Sequence, residues 1–226
     1  MEIKMKKVFC LLFCILCSSG ILSAKLLTHF EFEESLEDSV GDNNGTFIGS
    51  SSPTYQIGRN RQALVFNGTS NYLNFGSNNF DPRYEGRYSI SMWVLSQEQA
   101  SSSNNNSYIG KHAALGGALI LFGYFNSQLY FQINSASVSI SNAGNEPTGA
   151  WVHYAISARE QDNGTTSVVI YKNGSQIWSG TLNDVAGTFG TISKPWVLGT
   201  NKIFFREDEQ SWKKSYQFLR FCFLFL

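Results

Sequence analysis

The three histidines are the first residues to weigh for catalysis, because imidazole is the side chain that most often moves protons near neutral pH. They are His29, His112 and His153, and each stands apart from the others in the sequence. No Gly-x-Ser-x-Gly segment offers a serine nucleophile. No group of His and Cys has the spacing of a zinc site. We therefore interpret His153, in "WVHYA", as a histidine of a strand rather than as a general base.

One short turn could bind a metal ion. Asp38, Gly41, Asp42 and Asn43 bring carboxylate, amide and carbonyl oxygens together, and Ca²⁺ takes about six to eight oxygen ligands. The same Asx residues also stabilise turns by accepting hydrogen bonds from their own backbone. The segment is thus either a calcium site or an Asx-rich turn.

Three aromatic residues are candidates for ligand contacts. Trp93, Tyr130 and Trp151 alternate with polar or small residues, or lie among asparagines and glutamines. Their flat apolar surfaces suit the rings of sugars or the side chains of a protein partner. Because cores of β-sandwiches also hold tryptophan, burial of Trp151 is the alternative.

Five asparagines stand in N-glycosylation sequons. Four of the five are followed by glycine, so that turn formation alone also explains them. The five are Asn44, Asn67, Asn105, Asn163 and Asn173.

The N-terminal segment has the order of a secretory signal peptide. A basic start, "MEIKMKK", precedes the apolar run from Val8 to Cys17 and the small residues of "SSGILSA". That run is far shorter than the ~20 residues of a spanning helix. Cleavage after Ala24 or after Gly20 would leave a small residue at the cut. We predict the site after Ala24 and a secreted protein. Residues 25–201 then contain no cysteine, so the exported domain depends on its own hydrophobic core.

The charge of residues 25–201 argues against nucleic acid as a partner. Nine lysines and arginines are scattered among thirteen aspartates and glutamates, without a basic stripe that could neutralise phosphates. The final apolar run, from Phe218 to Leu226, is interrupted by Arg220 and is too short to span a bilayer. We therefore predict neither a nucleic-acid partner nor a transmembrane span.

Short segments of β-type composition recur along the chain between turn signals. In "YSISMWV", Tyr88 and every second residue after it are apolar and oppose Ser89, Ser91 and Trp93. Such alternation is typical of a strand with one face toward water. Asn173-Gly174 provides the two residues of a type I′ turn and predicts a hairpin. About ten such strands in one domain predict two packed antiparallel sheets.

The order of these segments resembles the laminin-G-like, concanavalin A-like lectin and glucanase family of jelly-roll domains. The matching stretches are "FEFEESLEDSVGDNNGTFIGS", "QALVFNGTSNYLNFG", "YSISMWV", "GAWVHYAISA" and "VVIYKNGSQIWSGTL". The family pattern continues with a closing strand of the type Ile-Asp-Asp/Glu-Val-Arg-Ile-Tyr, and this chain has "KIFFREDEQSWKKSYQFLRFCFLFL" there instead. We therefore expect an exposed sheet edge beside residues 26–33 and a poorly packed tail. Pairing of the final apolar run as an improvised last strand is the alternative, because Phe and Leu suit a sheet, although the flanking turn is missing.

The resemblance implies an all-β, two-sheet antiparallel jelly-roll sandwich, with a signal peptide at 1–24, the domain at 25–201 and an atypical tail at 202–226. It also implies a structural calcium near Asp38 in some relatives, and a secreted, non-catalytic module that binds carbohydrate or glycoprotein. Retaining glycosidases on this scaffold project Glu, Asp and Glu from alternate positions of one strand, and no such run is present. A glycan-cleaving hydrolase or lyase, or a truncated product without activity, is the alternative.

Overall fold

The computed structural model describes residues 25–68, 70–76, 86–100, 105–113, 117–134, 136–183, 195–199 and 216–224. The predicted signal peptide at 1–24, the loop residues 101–104 and the tail segments at 202–215 and 225–226 lie outside these ranges.

Two antiparallel sheets make up the described part of the chain. The eight-stranded sheet contains β1 (Leu26–Phe30), β3 (Thr54–Ile57), β4 (Gln62–Phe66), β6 (Arg87–Ser96), β11 (Trp151–Glu160), β12 (Thr166–Lys172), β13 (Ser175–Leu182) and β15 (Tyr216–Leu224). The seven-stranded sheet contains β2 (Thr46–Ile48), β5 (Tyr72–Phe75), β7 (Asn106–Ala113), β8 (Gly117–Phe125), β9 (Gln128–Ile133), β10 (Ala136–Ile140) and β14 (Trp196–Leu198). A 3-10 turn at Ser141–Ala143 follows β10.

The strands are hydrogen-bonded in the orders β13-β12-β11-β6-β15-β4-β3 and β10-β9-β8-β7-β14-β5-β2, and β1 pairs with β15. Among the described residues, no helix has the length and apolar character needed to cross a membrane. The predicted all-β, two-sheet architecture is confirmed.

Alternation along β6 and β11 places their apolar residues in the core. In both strands every second residue is buried, and the residues between are half-buried over most of the length. Tyr88, Ile90, Met92 and Val94 face inward, as the period-two pattern predicts. They join one cluster of buried side chains to which both sheets contribute. The opposite faces of β6 and β11 are therefore turned outward.

The predicted hairpin at Asn173-Gly174 is also confirmed. It joins β12 to β13, which pair antiparallel from Thr166↔Leu182 to Lys172↔Ser175. Asn173 has φ 50° and Gly174 has φ 80°. Both residues thus adopt the left-handed conformation that a type I′ turn requires.

The closing position of the eight-stranded sheet is occupied by β15. It pairs with β6 over Tyr216–Phe218 and Phe221–Leu224, from Tyr216↔Ser96 to Leu224↔Ser89, with an irregularity between these two parts. On its other side, Tyr216–Phe218 pairs with β4 and Phe221–Leu224 pairs with β1.

The expected exposed edge beside residues 26–33 is therefore wrong over Leu26–Phe30. A strand needs only extended backbone to pair, and Phe and Leu suit a sheet. Sequence that departs from the family pattern consequently still satisfies the backbone of β1.

Candidate functional site

Trp93 and Trp151 lie on the outward face of the eight-stranded sheet, on neighbouring strands. Trp93 pairs with His153, and Trp151 pairs with Leu95. All four residues are half-buried, whereas the residues between them in sequence are buried. The alternative that Trp151 packs in the core is thereby excluded.

Four side chains form what we call the Trp93 cluster: Arg59, Ser91, Trp93 and His153. The rings of Trp93 and His153 are 5.1 Å apart between centroids. Ser91 Oγ lies 2.8 Å from His153 Nε2. The Arg59 guanidinium carbon lies 5.4 Å from the centre of the Trp93 ring, which is a cation–π distance. The cluster thus combines an aromatic ring, a neutral hydrogen-bonding pair and one cation.

His153 has the environment of a hydrogen-bonding strand residue. Burial lowers its pKa, so that the imidazole is neutral at neutral pH. Its backbone N–H donates to Asn173 Oδ1 at 2.9 Å. The contacts recorded for its ring are with Ser91 and Trp93, and neither is a carboxylate that could orient it as a triad base. The arrangement therefore favours ligand contact over general-base chemistry.

Tyr130 lies on the other sheet, in β9, and the structure does not bring it together with the two tryptophans. Its ring is 5.1 Å from that of Phe125, and its hydroxyl donates to Gln132 Oε1 at 3.0 Å. Leu121, which is buried, packs against both aromatic rings. The three predicted ligand contacts consequently belong to two different faces of the sandwich.

Asp38 organises the turn after β1 with both of its carboxylate oxygens. Oδ1 accepts the backbone N–H groups of His29 at 2.9 Å and Val40 at 3.1 Å. Oδ2 accepts the Thr28 hydroxyl at 2.7 Å and the Asn43 backbone N–H at 3.3 Å. Burial raises the pKa of Asp38, but these hydrogen bonds outweigh it and the net pKa is lowered.

The donors around Asp38 leave little room for a metal ion. A carboxylate has about four lone-pair positions, and four N–H or O–H groups already point at this one. Asp42 and Gly41 are exposed nearby, and Asn43 Nδ2 donates to Thr28 Oγ1 at 2.8 Å. Within the described ranges no three His, Cys, Asp or Glu side chains are grouped as metal ligands. Asp38 thus fits the Asx turn and does not fit a calcium cage; calcium binding itself stays a prediction.

Replacing Asp38 with alanine is expected to lower the free energy of unfolding by about 2–4 kcal/mol near pH 7, because buried donors lose a charged acceptor. Since the folded state lowers this pKa, the contribution is present above the usual value of 3.8 and is lost as the pH falls through the lowered pKa. Urea denaturation across this range measures it. Asp42→Ala, in the same turn but exposed, is the matched control. Equal losses in the two variants, or a loss that persists in acid, would contradict this role.

The five sequon asparagines are all hydrogen-bonded to the backbone. Each accepts a backbone N–H with its Oδ1, from Asp38, Ser70, Asn126, Thr165 and His153 respectively in chain order. Four of the side chains are exposed and Asn105 is half-buried. The bonds of Asn44, Asn67 and Asn163 are local and fit turn formation. Those of Asn105 and Asn173 reach backbone 21 and 20 positions away. Glycosylation stays a prediction.

Glu31 and Glu33 follow β1 and alternate with phenylalanines of the core. Phe30 and Phe32 are buried, while Glu31 and Glu33 approach Arg61 at 4.0 and 3.5 Å. An arginine between them ties these carboxylates into ion pairs at the surface.

Glu146 is a buried carboxylate that the sequence analysis did not identify. It is 1% exposed and accepts hydrogen bonds from Ser96 Oγ at 2.5 Å, the Ala100 backbone N–H at 2.6 Å and Tyr108 Oη at 2.7 Å, together with one from Asn106 Nδ2. Burial raises its pKa in spite of these hydrogen bonds. The signal that could have found it is its isolation: residues 112–158 contain no other Asp, Glu, Lys or Arg.

Glu146 joins separate parts of the chain at one end of the sandwich. Its partners lie at the end of β6, in the loop that follows and at the start of β7. Gly149 N–H adds a hydrogen bond to Ser96 O at 2.9 Å. Because the carboxylate is covered from solvent, we interpret it as a structural anchor rather than a site for substrate.

A family model and several solved structures match this chain. Residues 67–217 match the family model described as the Concanavalin A-like lectin/glucanases superfamily. Domain 4 of AbnA, a GH43 extracellular arabinanase from Geobacillus stearothermophilus solved in complex with arabinotriose, superposes with a TM-score of 0.65 at 22% identity, covering 89% of this chain and 93% of that one. No curated protein matches the sequence.

Botulinum neurotoxin binding domains are also similar in structure. One, from a study of type C toxin and its interaction with two ganglioside molecules, has a TM-score of 0.61 at 18% identity over 90% of this chain and 47% of that one. Another, the binding domain of botulinum neurotoxin DC in complex with rat synaptotagmin II, has a TM-score of 0.61 at 17% identity. The match covers 90% of this chain and 48% of that one. The chain spans about half the length of these toxin domains.

At such identities the structural likeness concerns the fold alone. The family match, however, covers well over half of the chain, and the two-sheet antiparallel sandwich agrees with it. The resemblance read from the sequence is thereby confirmed: this chain belongs to the concanavalin A-like lectin/glucanases superfamily.

Proposed function

We propose that this protein is a secreted, non-catalytic recognition module that binds carbohydrate or glycoprotein through the outward face of its eight-stranded sheet. The observation that carries the proposal is the Trp93 cluster, in which a half-buried ring adjoins the hydrogen-bonded Ser91–His153 pair. Sugar recognition needs this combination, since pyranose rings present apolar C–H faces next to hydroxyl groups. Trp151 extends the same face by one aromatic residue.

The comparisons support a binding role of this kind. The similar arabinanase domain was solved with an oligosaccharide, and the similar toxin domains concern ganglioside and a protein receptor. Secretion is supported by the signal-peptide order of residues 1–24.

Replacing Trp93 with alanine is expected to weaken glycan binding at least tenfold, or about 1.4 kcal/mol, because the ring that packs against the ligand is removed. A glycan array would identify ligands, and isothermal titration with the strongest would measure the loss. Tyr130→Ala, an aromatic residue on the opposite sheet, is the matched control and is expected to bind as the unmodified protein does.

Two outcomes would overturn the proposal. Loss of binding in Tyr130→Ala with full binding in Trp93→Ala would move the site to the seven-stranded sheet. Release of reducing sugar from a polysaccharide by the unmodified protein, abolished by a single substitution, would favour the glycan-cleaving alternative.

A further inference from the structure

Arg59 is held at the edge of the Trp93 cluster by a tight turn. The turn connects β3 to β4 and is closed by the hydrogen bond from Gly58 N–H to Arg61 O at 2.8 Å. Arg59 is exposed, and its guanidinium carbon lies over the Trp93 ring. A guanidinium that stacks on an aromatic face keeps its N–H donors, which lie in its own plane, available for another partner.

The neighbouring Arg61 is used differently. It approaches Glu31 and Glu33, and its charge is therefore balanced within the protein. Among the described residues the contact recorded for Arg59 is the Trp93 ring, not a carboxylate. One arginine of the turn is consequently engaged in ion pairs, and the other presents its charge at the proposed binding face.

The rest of the Trp93 cluster is uncharged. Burial lowers the pKa of His153, so that this imidazole contributes hydrogen bonding rather than charge at neutral pH. Ser91 and Trp93 carry no charge. Arg59 is therefore the cation that contacts the Trp93 ring. Arg87 and Arg159 lie opposite each other on the same outward face, at the other end of β6 and β11.

We propose that the preferred ligand is an acidic glycan, in which the carboxylate of a uronic or sialic acid binds the Arg59 guanidinium. The planar, two-pronged carboxylate matches the donor geometry of arginine. In this arrangement the sugar contacts Trp93, and its hydroxyl groups reach the Ser91–His153 pair. The inference rests on the proposed function and deepens it by naming the ligand class.

The test compares sugars that differ only in charge. Isothermal titration of the purified protein with tetragalacturonate and with its methyl ester isolates the carboxylate, and 3′-sialyllactose against lactose distinguishes sialic from uronic acid. We expect at least tenfold tighter binding of one acid than of its neutral counterpart, and weaker binding of that acid at higher salt. Arg59→Gln is expected to abolish the preference, and Arg61→Gln to retain it.

The outcomes separate this inference from the function on which it rests. Equal binding of acid and neutral forms, no binding of either acid, or an unchanged preference in Arg59→Gln would overturn the acidic ligand. If neutral glycans nevertheless bind and Trp93→Ala abolishes their binding, the recognition function stands. If no glycan binds in a Trp93-dependent manner, the function falls as well.

Discussion

A chain that ends at residue 215 is expected not to fold, whereas a chain that ends at Leu224 is expected to fold and to melt cooperatively. The shorter chain lacks β15, which lies between β6 on one side and β4 and β1 on the other. Adjacent strands are about 4.8 Å apart, so its removal opens a gap of roughly 10 Å that a direct pairing of the remaining strands cannot close without repacking the sheet.

The physical cost has two parts. Three strands lose hydrogen-bonded neighbours at once, and unpaired strand edges promote aggregation. Far-ultraviolet circular dichroism, thermal melting and gel filtration of the two chains would measure the difference. A cooperative melt and a monomeric elution of the chain ending at 215 would show that β15 is dispensable. That result would also support the prediction that the domain ends at residue 201 and that residues 202–226 are a tail outside it.

Replacing Glu146 with alanine is expected to lower the free energy of unfolding by about 3–5 kcal/mol, which is comparable to breaking a buried charge interaction. Four donors from the ends of β6 and β7 and from the loop between them lose their common acceptor. Each buried donor left without an acceptor costs about 1–3 kcal/mol. Chemical denaturation, with near-ultraviolet circular dichroism to follow Tyr108 and its neighbours, measures the loss.

Glu146→Gln is the matched control, because it keeps the shape and one carbonyl acceptor while removing the charge. Glu146→Gln is expected to lower the free energy of unfolding by less than Glu146→Ala does.

Since the folded state raises the pKa of Glu146, ionisation is less favourable in the folded than in the unfolded protein. The carboxyl's contribution is therefore fully present below its usual pKa of 4.5 and declines as the pH rises through the raised value.

Asp38 and Glu146 should thus have opposite pH dependences, although both are buried carboxyl groups. Across mildly acid pH, the stability difference between the unmodified protein and Glu146→Gln should change in favour of the variant as the pH rises. At lower pH, as the pH rises from the lowered pKa of Asp38 to its usual value of 3.8, the difference from Asp38→Ala should change in favour of the unmodified protein. The same slope in both series would show that burial, not the local hydrogen bonds, dominates at each position.

Strands that have one face in the core and one face outward could be predicted from the sequence. β6 alternates in polarity, and the structure buries its predicted residues Tyr88, Ile90, Met92 and Val94. β7 was missed because residues 106–111 are buried on both faces, so that no polar–apolar alternation marks it. The short strands β3 and β14 offer too few residues for a period to be recognised.

The candidate site could likewise be predicted only in part from the sequence. Trp93 and Trp151 were predicted as ligand contacts from their neighbours in sequence, but their common face depends on the pairing of β6 with β11. Arg59 is 34 residues from Trp93, and no local pattern connects them. Ser91 was recognised only as a polar strand residue, because its contact with His153 spans 62 positions.

By itself, the sequence determined the all-β class, the family, the inward residues of the long strands and the Asn173-Gly174 turn, since these depend on neighbours within a few positions. Only the tertiary structure decided that Tyr130 lies apart from Trp93, that Asp38 uses its oxygens for the turn, that Glu146 is an internal anchor and that β15 pairs with β1. Each of these depends on contacts between distant segments. Backbone pairing in a sheet accepts many side chains, so a tail that departs from the family pattern can still close the sheet.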